Sequence, residues 1–198
     1  MNIEARDVFE LRKKTGAGVM DCKKALLESS GNVDKACEIL RKKGIDTAIK
    51  KQTRVANDGL IGSYIHTDGK LGVLVEVNCE TDFVARTPEF QAFVKELTLQ
   101  IAAQAPRWVT PEEIPDDLLR KEEEIFREQL KESGKPDTVQ KSIVEGKLKK
   151  FFEENCLLEQ SYIRDTSKKI KDLLVETIAR VGENIVIRRF IRLKLGEE

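Results

Sequence analysis

An acidic and a large aromatic side chain stand side by side at Asp82 and Phe83, where a strand-like pattern gives way to a helix-like one. Before them, apolar residues recur at every second position, which is the period of a strand with one buried face. After them, apolar residues recur every three or four positions, as on one face of an amphipathic helix. If both side chains point outward, the chain presents an apolar probe beside a carboxylate at the end of a rigid strand. The two patterns consist of Leu71, Val73, Val75 and Val77, and of Phe90, Phe93, Val94, Leu97 and Ile101.

The same stretch also has a purely structural interpretation. A phenylalanine at a strand–helix junction is more often a core residue than an exposed one. Asp82 would then be an acid at a helix N-terminus, worth about 0.3–1 kcal/mol through the helix dipole. The Thr81 hydroxyl is most simply a helix cap. The residues alone leave both interpretations open.

The remaining reactive side chains do not form a recognisable catalytic or metal site. His66 is the only histidine, and it lies near a predicted turn, where a surface position is expected. The four cysteines, Cys22, Cys37, Cys79 and Cys156, are far apart and include no C-x-x-C pair, so a zinc site is not expected and reduced thiols are. No nucleophile–base pair can be assembled with a single histidine. We therefore expect an interaction protein without a cofactor or bound metal, not an enzyme.

Charge and hydropathy restrict the class of protein further. The 198 residues contain 35 Lys plus Arg and 35 Asp plus Glu, so the formal net charge is zero. A general nucleic-acid binder needs an excess of positive charge to neutralise phosphates, and none is present. The N-terminus is polar and acidic, unlike a signal peptide, and no apolar run approaches the roughly 20 residues that cross a bilayer. A cytoplasmic protein without membrane contact is expected.

The first part of the chain, residues 1 to about 44, is typical of three short helices. Gly16-Ala17-Gly18 separates the first two helices, Gly31 ends the second, Asn32 caps the third and Gly44 closes it. A phosphate-binding loop at Gly16–Gly18 is not supported, because no Gly-Lys-Ser/Thr follows and no strand precedes. The expected inner faces are Val8 and Leu11, then Met20, Ala25 and Leu26, then Val33, Ala36, Cys37 and Leu40. Ile45 to Asn57 is expected to be a short helix and a linker.

Three segments are predicted to pair as strands. A turn at Asn57-Asp58-Gly59 precedes strands at Leu60–His66 and Leu71–Val77, which are joined by Thr67-Asp68-Gly69, a strong hairpin signal. A last strand follows Gly182 and has only this hairpin to pair with. Its expected apolar face is Ile185, Ile187, Ile191, Leu193 and Leu195.

Helices are predicted between these strands. Thr87-Pro88-Glu89 begins a helix that ends near Ala105-Pro106, Trp108 fills part of the core, and Thr110–Glu113 forms a capping box. Asp116–Glu132 is a charged helix that is broken by Ser133-Gly134-Lys135-Pro136, and Asp137 caps the next one. A breaker this short predicts an antiparallel helical hairpin at about 116–153, and its narrow apolar stripes predict that it protrudes. Residues 155–165 are expected to be irregular, with Thr166 capping the last helix.

The predicted fold class is therefore α+β. An N-terminal three-helix bundle, of the ubiquitin-associated (UBA) type, is followed by a three-stranded antiparallel sheet with helices on one side and the protruding hairpin. The predicted domains are the N-terminal module at 1–50, a linker at 51–57, and an α+β core at 58–198 that carries dimerisation.

Two long motifs and three short ones resemble a known family. The long ones are Leu11–Leu26, with Lys-Thr-Gly-Ala-Gly-Val-Met-Asp-Cys at its centre, and Glu76–Ala85, with Cys-Glu-Thr-Asp-Phe-Val. The short ones are Ser133-Gly134-Lys135-Pro136, Val144-Glu145-Gly146 and Gly182-Glu183-Asn184-Ile185. In this order and over nearly the whole chain, they resemble the elongation factor Ts family, the guanine-nucleotide exchange factors for elongation factor Tu in bacterial-type translation.

The resemblance implies a mechanism and a set of contact residues. Thr81, Asp82, Phe83 and Val84 correspond to the family segment that pushes in beside the magnesium site of GDP-bound elongation factor Tu and displaces the ion. The N-terminal module docks on the nucleotide-binding domain of that partner. The contacts implied for that module are Lys13, Gly16, Gly18, Val19 and Met20.

One departure from the family and two rival functions complete the sequence-based predictions. Many members carry two copies of the core sheet module, and only one is visible here, which predicts a homodimer whose two sheets meet. The main alternative function is a GTPase-binding adaptor without exchange activity. An RNA-binding protein is disfavoured, because its candidate lysines alternate with acids and apolar residues. Those lysines are Lys147, Lys149, Lys150, Lys168, Lys169 and Lys171.

Overall fold

The architecture was obtained from a computed structural model, which describes residues 3–131 and 136–197. Within these residues the chain is α+β, as the sequence predicts. The helices are α1 (Ala5–Thr15), α2 (Val19–Glu28), α3 (Val33–Lys51), α4 (Asp82–Ala85), α5 (Pro88–Gln104), α6 (Asp116–Lys131), α7 (Asp137–Asn155) and α8 (Ile170–Val181). The strands are β1 (Asp58–Ile65), β2 (Leu71–Cys79), β3 (Ser161–Tyr162), β4 (Asp165–Lys169) and β5 (Ile185–Lys194). No helix in these ranges is both long and apolar enough to span a bilayer.

Contacts between residues divide the chain into two compact units. Unit 1 comprises Met1–Ile61, Glu76–Val94 and Asp172–Ile187. Unit 2 comprises Gly62–Val75, Lys95–Lys171 and Arg188–Glu198. The candidate site residues predicted from the sequence all belong to unit 1.

Helices α1, α2 and α3 of unit 1 bury one shared apolar cluster. Cys22, Ala25 and Leu26 are spaced i, i+3, i+4, so they occupy one face of α2. Met20 was predicted to be on this face, but its side chain is exposed, since two residues of helix turn it away from Cys22. Val33 is also exposed, as the first residue of α3. The cluster consists of Val8, Leu11, Cys22, Ala25, Leu26, Ala36 and Leu40.

Helix α3 does not end at Gly44, which corrects the prediction of a separate short helix after it. Gly44 is buried inside α3, and a Cβ there would lie 3.4 Å from the Ala179 Cβ of α8. The glycine therefore permits close packing between two helices and does not act as a stop signal. Arg41 and Asp172 form an ion pair across the same two helices at 3.0 Å.

Strands β1, β2 and β5 form the predicted three-stranded antiparallel sheet, in that order. The turn between β1 and β2 closes where Asp-Gly predicted it, with the Gly69 N–H donating to the His66 carbonyl at 2.8 Å. The turn predicted at residues 57–59 is wrong for Asp58 and Gly59, which already belong to β1. His66 is exposed, as expected, and its Nδ1 is 2.8 Å from the Tyr64 hydroxyl.

The burial pattern of β5 changes phase along the strand. Ile185 and Ile187 are buried as predicted, but two consecutive exposed residues, Arg188 and Arg189, follow them. Farther along the strand, Phe190 and Arg192 are the half-buried residues, so the alternation has shifted by one position. Ile191, Leu193 and Leu195 were predicted to share the buried face, and they are exposed instead.

Unit 2 differs from the sequence prediction in its connections. Thr166 was predicted to cap the last helix, but it lies in β4, which pairs antiparallel with β3 in a region expected to be irregular. At residues 110–113 only Glu113 makes a capping bond, accepting the Val109 N–H at 2.9 Å, and Thr110 makes none. Helices α6 and α7 contact each other. Residues 133–135 of the predicted Ser133–Pro136 breaker lie outside the described residues.

Other details of unit 2 refine the predictions. Asp137 is the first residue of α7 and does not cap it, because the cap position is Pro136 and no side chain bonds there. Trp108 is half-buried, with its ring centroid 6.4 Å from that of Phe151 and the Arg107 guanidinium 4.6 Å from its face. The indole therefore covers part of the core and is not enclosed by it.

Candidate functional site

Phe83 lies on α4, a single helical turn that follows β2 directly, and its side chain is 79% exposed. Thr81 begins this turn, since its hydroxyl oxygen accepts the Val84 N–H at 3.4 Å, and the cap predicted for it is confirmed. Ala85 is buried and anchors the other side of the turn. An aromatic ring is thus held in solvent at the end of a strand, which is the arrangement required of an apolar probe.

Asp82 lies beside the ring with its carboxylate in an ion pair to Arg86 at 2.8 Å. Both side chains are largely exposed, at 46% and 76%, and such pairs contribute only about 0.2–1 kcal/mol. The carboxylate can therefore exchange this partner for another at little cost. Val84 is half-buried, and its carbonyl accepts the Thr87 hydroxyl at 2.8 Å, which ties α4 to the start of α5.

A network of acidic side chains supports the turn from inside unit 1. Glu183, which follows α8, accepts hydrogen bonds from the backbone N–H groups of Glu80 and Thr81. Glu80 in turn accepts the Asn184 N–H at 2.7 Å, and this bond is the main reason that the pKa of Glu80 is lowered. Burial, together with the nearby Glu183 carboxylate, raises the pKa of the Cys79 thiol to about 11.

A groove of about 650 Å³ lies next to α4 in unit 1 and is rich in basic side chains. It brings together Lys13 and Gly16 of the N-terminal helices with Val84, three of the residues predicted from the sequence. Gly18, Val19 and Met20 are exposed but do not line it. The lining residues are Phe9, Arg12, Lys13, Lys14, Gly16, Val84, Thr87, Glu89, Arg180 and Val181.

Gly16 shapes the floor of this groove. It ends α1 in the left-handed conformation, with φ +71°, and its N–H donates to the Arg12 carbonyl at 2.7 Å. A Cβ on Gly16 would overlap the Arg180 guanidinium, with the Cζ atom at 3.0 Å. The glycine therefore lets a cation from α8 approach the end of α1.

The described lining of the groove contains four basic side chains and one acidic side chain, Glu89. Within residues 3–131 and 136–197, Arg12, Lys13 and Arg180 make no ion pair, while Lys14 pairs with Asp34 at 3.6 Å. An anionic side chain of a partner could form ion pairs with these cations. The exposed Phe9 ring supplies an apolar contact beside them. In the same described ranges, no group of three or more His, Cys, Asp and Glu residues could hold a metal ion.

Sequence reasoning missed Phe9, Arg180 and Glu183. Phe9 directly follows the predicted core residue Val8. Because neighbouring residues of a helix point in different directions, Phe9 is turned away from the face that Val8 and Leu11 bury. Arg180 occupies the last turn of α8, where a basic residue is expected to favour the helix dipole. Glu183 was visible only as part of the Gly182–Ile185 motif, to which no role was assigned.

Comparison with known proteins identifies the family. The family model for elongation factor Ts matches residues 12–197. The chain belongs to the elongation factor Ts family. It is 59% identical over 195 residues to elongation factor Ts of Thermoanaerobacter sp. (strain X514), covering 98% of this chain and 96% of that one. It is 55% identical over 197 residues to elongation factor Ts of Fervidobacterium nodosum, covering both chains in full.

A third elongation factor Ts, from Geobacter metallireducens, is 56% identical over 197 residues, which cover this whole chain and 91% of its own. These matches confirm the resemblance predicted from the motifs. The family model includes residues 81–84 and all the described lining residues of the groove except Phe9.

Proposed function

We propose that residues Thr81–Val84 promote the release of GDP from elongation factor Tu by disturbing its magnesium site. The chain is a translation elongation factor that serves nucleotide exchange on elongation factor Tu, and the adaptor alternative is not favoured. Exchange leaves every covalent bond intact, so the chain is not an enzyme in the usual sense. The observation that carries the proposal is the 79% exposure of Phe83 on a capped turn.

The physical basis is the charge of the partner's magnesium ion. Mg²⁺ bridges the phosphates of the bound nucleotide and the GTPase, so displacing it removes the largest local positive charge from the pocket. Phe83 enters the partner as an apolar wedge, and Asp82 brings a carboxylate to the same place. Burying one phenylalanine side chain contributes about 1.5–3 kcal/mol, which is roughly 10- to 150-fold in an equilibrium constant.

The coupling between binding of GDP and binding of the factor is reciprocal. If the factor weakens GDP binding, GDP must weaken binding of the factor by the same ratio. GTP then binds the emptied site, and the concentrations of the two nucleotides decide which one occupies it. The factor accelerates the exchange without choosing its direction.

The basic groove gives the N-terminal module a role in the same complex. We infer that α1–α3 form a UBA-like bundle that docks on the nucleotide-binding domain of elongation factor Tu. Arg12, Lys13 and Arg180 would meet acidic side chains there, and Gly16 keeps the groove open for them. Gly18, Val19 and Met20 extend this surface with an exposed edge. Such charge complementarity raises the association rate more than the final affinity.

We also retain the predicted domain plan as a proposal. The N-terminal module would fold at residues 1–50, with a linker at 51–57 and the core at 58–198. The pair α6 and α7 would form the protruding hairpin at about 116–153, as a further contact for the partner. Translation elongation takes place in the cytoplasm, which is where this function assigns the protein.

A homodimer is the third part of the proposal. In unit 2, five large apolar side chains in the sheet or directly after β5 remain exposed by 48–73%, and the Leu195 N–H donates to the Lys70 carbonyl at 2.9 Å, which joins the end of β5 to the start of β2. Monomeric proteins rarely expose large contiguous apolar patches. A second copy offers the same patch, and a two-fold axis makes it self-complementary. The five side chains are Ile65, Leu74, Ile191, Leu193 and Leu195.

Release of fluorescently labelled GDP from elongation factor Tu tests the role of Phe83. Phe83→Ala removes the ring but leaves the backbone cap, so we expect release about 10- to 150-fold slower than with wild type. The rate is measured by stopped flow at saturating factor. Binding through the basic groove should persist, so the variant should still form the complex.

Val55→Ala is the matched control, because Val55 is 72% exposed in the segment after α3 and lies outside the groove and the turn. It should release GDP at the wild-type rate. Equal rates for wild type and Phe83→Ala would refute the proposed mechanism. Failure of wild type to accelerate release at all, with binding intact, would restore the adaptor alternative.

A further inference from the structure

The turn that presents Phe83 is held by a side chain from a distant part of the sequence. Glu183 Oε2 accepts the Glu80 N–H at 3.1 Å and the Thr81 N–H at 3.0 Å. Its Oε1 accepts the Thr81 hydroxyl at 2.7 Å. A carboxylate that accepts three hydrogen bonds in this way fixes both the backbone and the side chain of the capping residue.

A hydrogen bond in the opposite direction, from residue 184 to Glu80, makes the contact between the two segments reciprocal. Glu80 Oε1 accepts the Asn184 N–H at 2.7 Å, so the segments 80–81 and 183–184 each supply a carboxylate to the other's backbone. Asn184 is buried, and its side-chain amide donates to the Arg54 carbonyl at 2.8 Å. Arg54 lies 3.5 Å from the Glu80 carboxylate and closes the network.

On the outer side of α4, Asp82 makes an exposed ion pair with Arg86, and Phe83 itself is exposed. The helix α4 has only four residues, and its own hydrogen bonds cannot hold it, because forming an isolated turn is unfavourable. Its direction is therefore decided at its start, by Thr81, and at its end, by buried Ala85 and by the Thr87 hydroxyl, which donates to the Val84 carbonyl at 2.8 Å. Glu183 controls the first of these.

We propose that Glu183 is a positioning residue for nucleotide exchange, which fixes the direction of Phe83 by holding residues 80 and 81 from the segment after α8. The inference rests on the proposed function of Phe83 and extends it to a residue that does not itself touch the nucleotide or the magnesium ion. A Phe83 ring whose direction is fixed before contact loses less conformational entropy on binding than a mobile ring does. Glu183 thus makes the probe pre-organised.

Steady-state kinetics of nucleotide exchange with three variants test whether Glu183 positions Phe83. The maximal rate of labelled GDP release and the factor concentration for half-maximal rate are measured for Glu183→Ala, Glu183→Gln and Phe83→Ala. We expect Glu183→Ala to lower the maximal rate about tenfold and to change half-saturation less than twofold, because the groove contacts remain. Glu183→Gln keeps an acceptor oxygen for the two N–H groups, so it should stay within about threefold of wild type.

The double variant distinguishes positioning from general damage. If Glu183 acts only through Phe83, then Phe83→Ala with Glu183→Ala should be no slower than Phe83→Ala alone, within about twofold. Multiplication of the two single effects would overturn the inference. So would a wild-type maximal rate for Glu183→Ala beside a slow Phe83→Ala, and in that case the proposed function would still stand. A wild-type rate for Phe83→Ala would instead remove the proposed function and this inference with it.

Amide hydrogen exchange on the free protein provides a measurement that does not depend on the partner. In Glu183→Ala, the amides of Glu80 and Thr81 should lose protection by about tenfold or more, while those of α5 keep it. Unchanged protection at residues 80 and 81 would refute the hydrogen-bond clamp directly. Loss of protection in α5 as well would show general unfolding and would also count against a positioning role.

Discussion

Gly59 shows how one residue adjusts the sheet near the site. It adopts φ +144° inside β1, a region that is essentially restricted to glycine. A Cβ there would lie 2.7 Å from the Asn78 Cα and would overlap the Val77 carbonyl oxygen. β1 therefore approaches the end of β2, just before the turn that presents Phe83, only because residue 59 has no side chain.

Gly59→Ala is expected to lower the free energy of unfolding by about 2–3 kcal/mol, since it combines backbone strain of about 1–3 kcal/mol with a contact to rigid backbone. Urea unfolding followed by circular dichroism measures the change. Gly72→Ala is the matched control in β2, because no atom lies within 4 Å of the added Cβ. It should be neutral or slightly stabilising. Equal losses in the two variants would contradict the close approach at Gly59.

Phe83 and Phe90 have identical side chains and opposite environments. Phe90 is fully buried, and its place in a helical period of apolar residues predicted that burial. Phe83 belongs to a helix too short to have a period, so local pattern could not decide its exposure. Its direction depends on Glu183, 102 residues away from Thr81.

At the scale of elements, ionic contacts in unit 2 link Lys169 of β4 and Lys171 of α8 to Glu153 of α7 and to Glu159, which follows α7. The Lys169 Nζ lies 3.0 Å from Glu153 Oε1 and 2.8 Å from Glu159 Oε2, and Lys171 lies 2.9 Å from Glu159 Oε1. The Glu159 and Lys169 side chains are only 22% and 24% exposed, so solvent screens this cluster less than the surface pairs.

Burial, the largest single effect on Glu159, raises its pKa, but the hydrogen bonds from Lys169 and Lys171 outweigh it and leave the pKa below 4.5. A lowered pKa contributes stability that is present above the unfolded value and is lost as pH falls through the folded one. We therefore expect Glu159→Gln to destabilise the protein by about 1–2 kcal/mol at pH 7. Below about pH 4 the difference from wild type should shrink.

Urea unfolding at several pH values measures this difference. Glu154→Gln is the matched control, because the Glu154 side chain is 63% exposed and its carboxylate lies 3.7 Å from Lys150 in an i,i+4 pair. It should change stability by less than about 0.5 kcal/mol at any pH. A Glu159→Gln effect that is independent of pH would show that the charge of Glu159 is not what stabilises this region.

Element boundaries were predictable where caps and periodicity agree. Asn32 begins α3 by accepting the Lys35 N–H at 3.0 Å, and Gly182 ends α8 with φ +81°, both as predicted. The prediction that α3 ends at Gly44 was wrong, because a glycine can allow close packing of two helices as well as end a helix. The pair β3 and β4 was missed, since strands of two and five residues leave too few alternating positions to recognise.

At the scale of the whole molecule, the exposed apolar face of the sheet in unit 2 predicts self-association. We expect sedimentation at micromolar concentration to give twice the monomer mass of 22.5 kDa. Leu193→Lys introduces a charge where Leu193 is 70% exposed, so it should shift the protein to the monomer without unfolding it.

The matched control for this experiment is Ile49→Lys, which places the same charge on a comparably exposed residue of α3. It should remain dimeric. A wild-type monomer at this concentration would contradict the proposed homodimer, and a Leu193→Lys dimer would show that the interface lies elsewhere. Neither result would bear on the exchange activity, which Phe83→Ala tests.

The sequence by itself determined the family, the α+β class and most of the main elements, because motifs, caps and hydrophobic periods are local properties of the chain. It also identified Thr81–Val84 as the segment whose aromatic and acidic side chains are most suited to contact a partner. Only the tertiary structure decided that Phe83 is exposed, that Lys13, Gly16 and Val84 share one groove, and that the end of β5 exposes its leucines. Those outcomes depend on contacts between residues far apart in sequence, such as Glu183 with Thr81 and Gly16 with Arg180, and no local pattern encodes them.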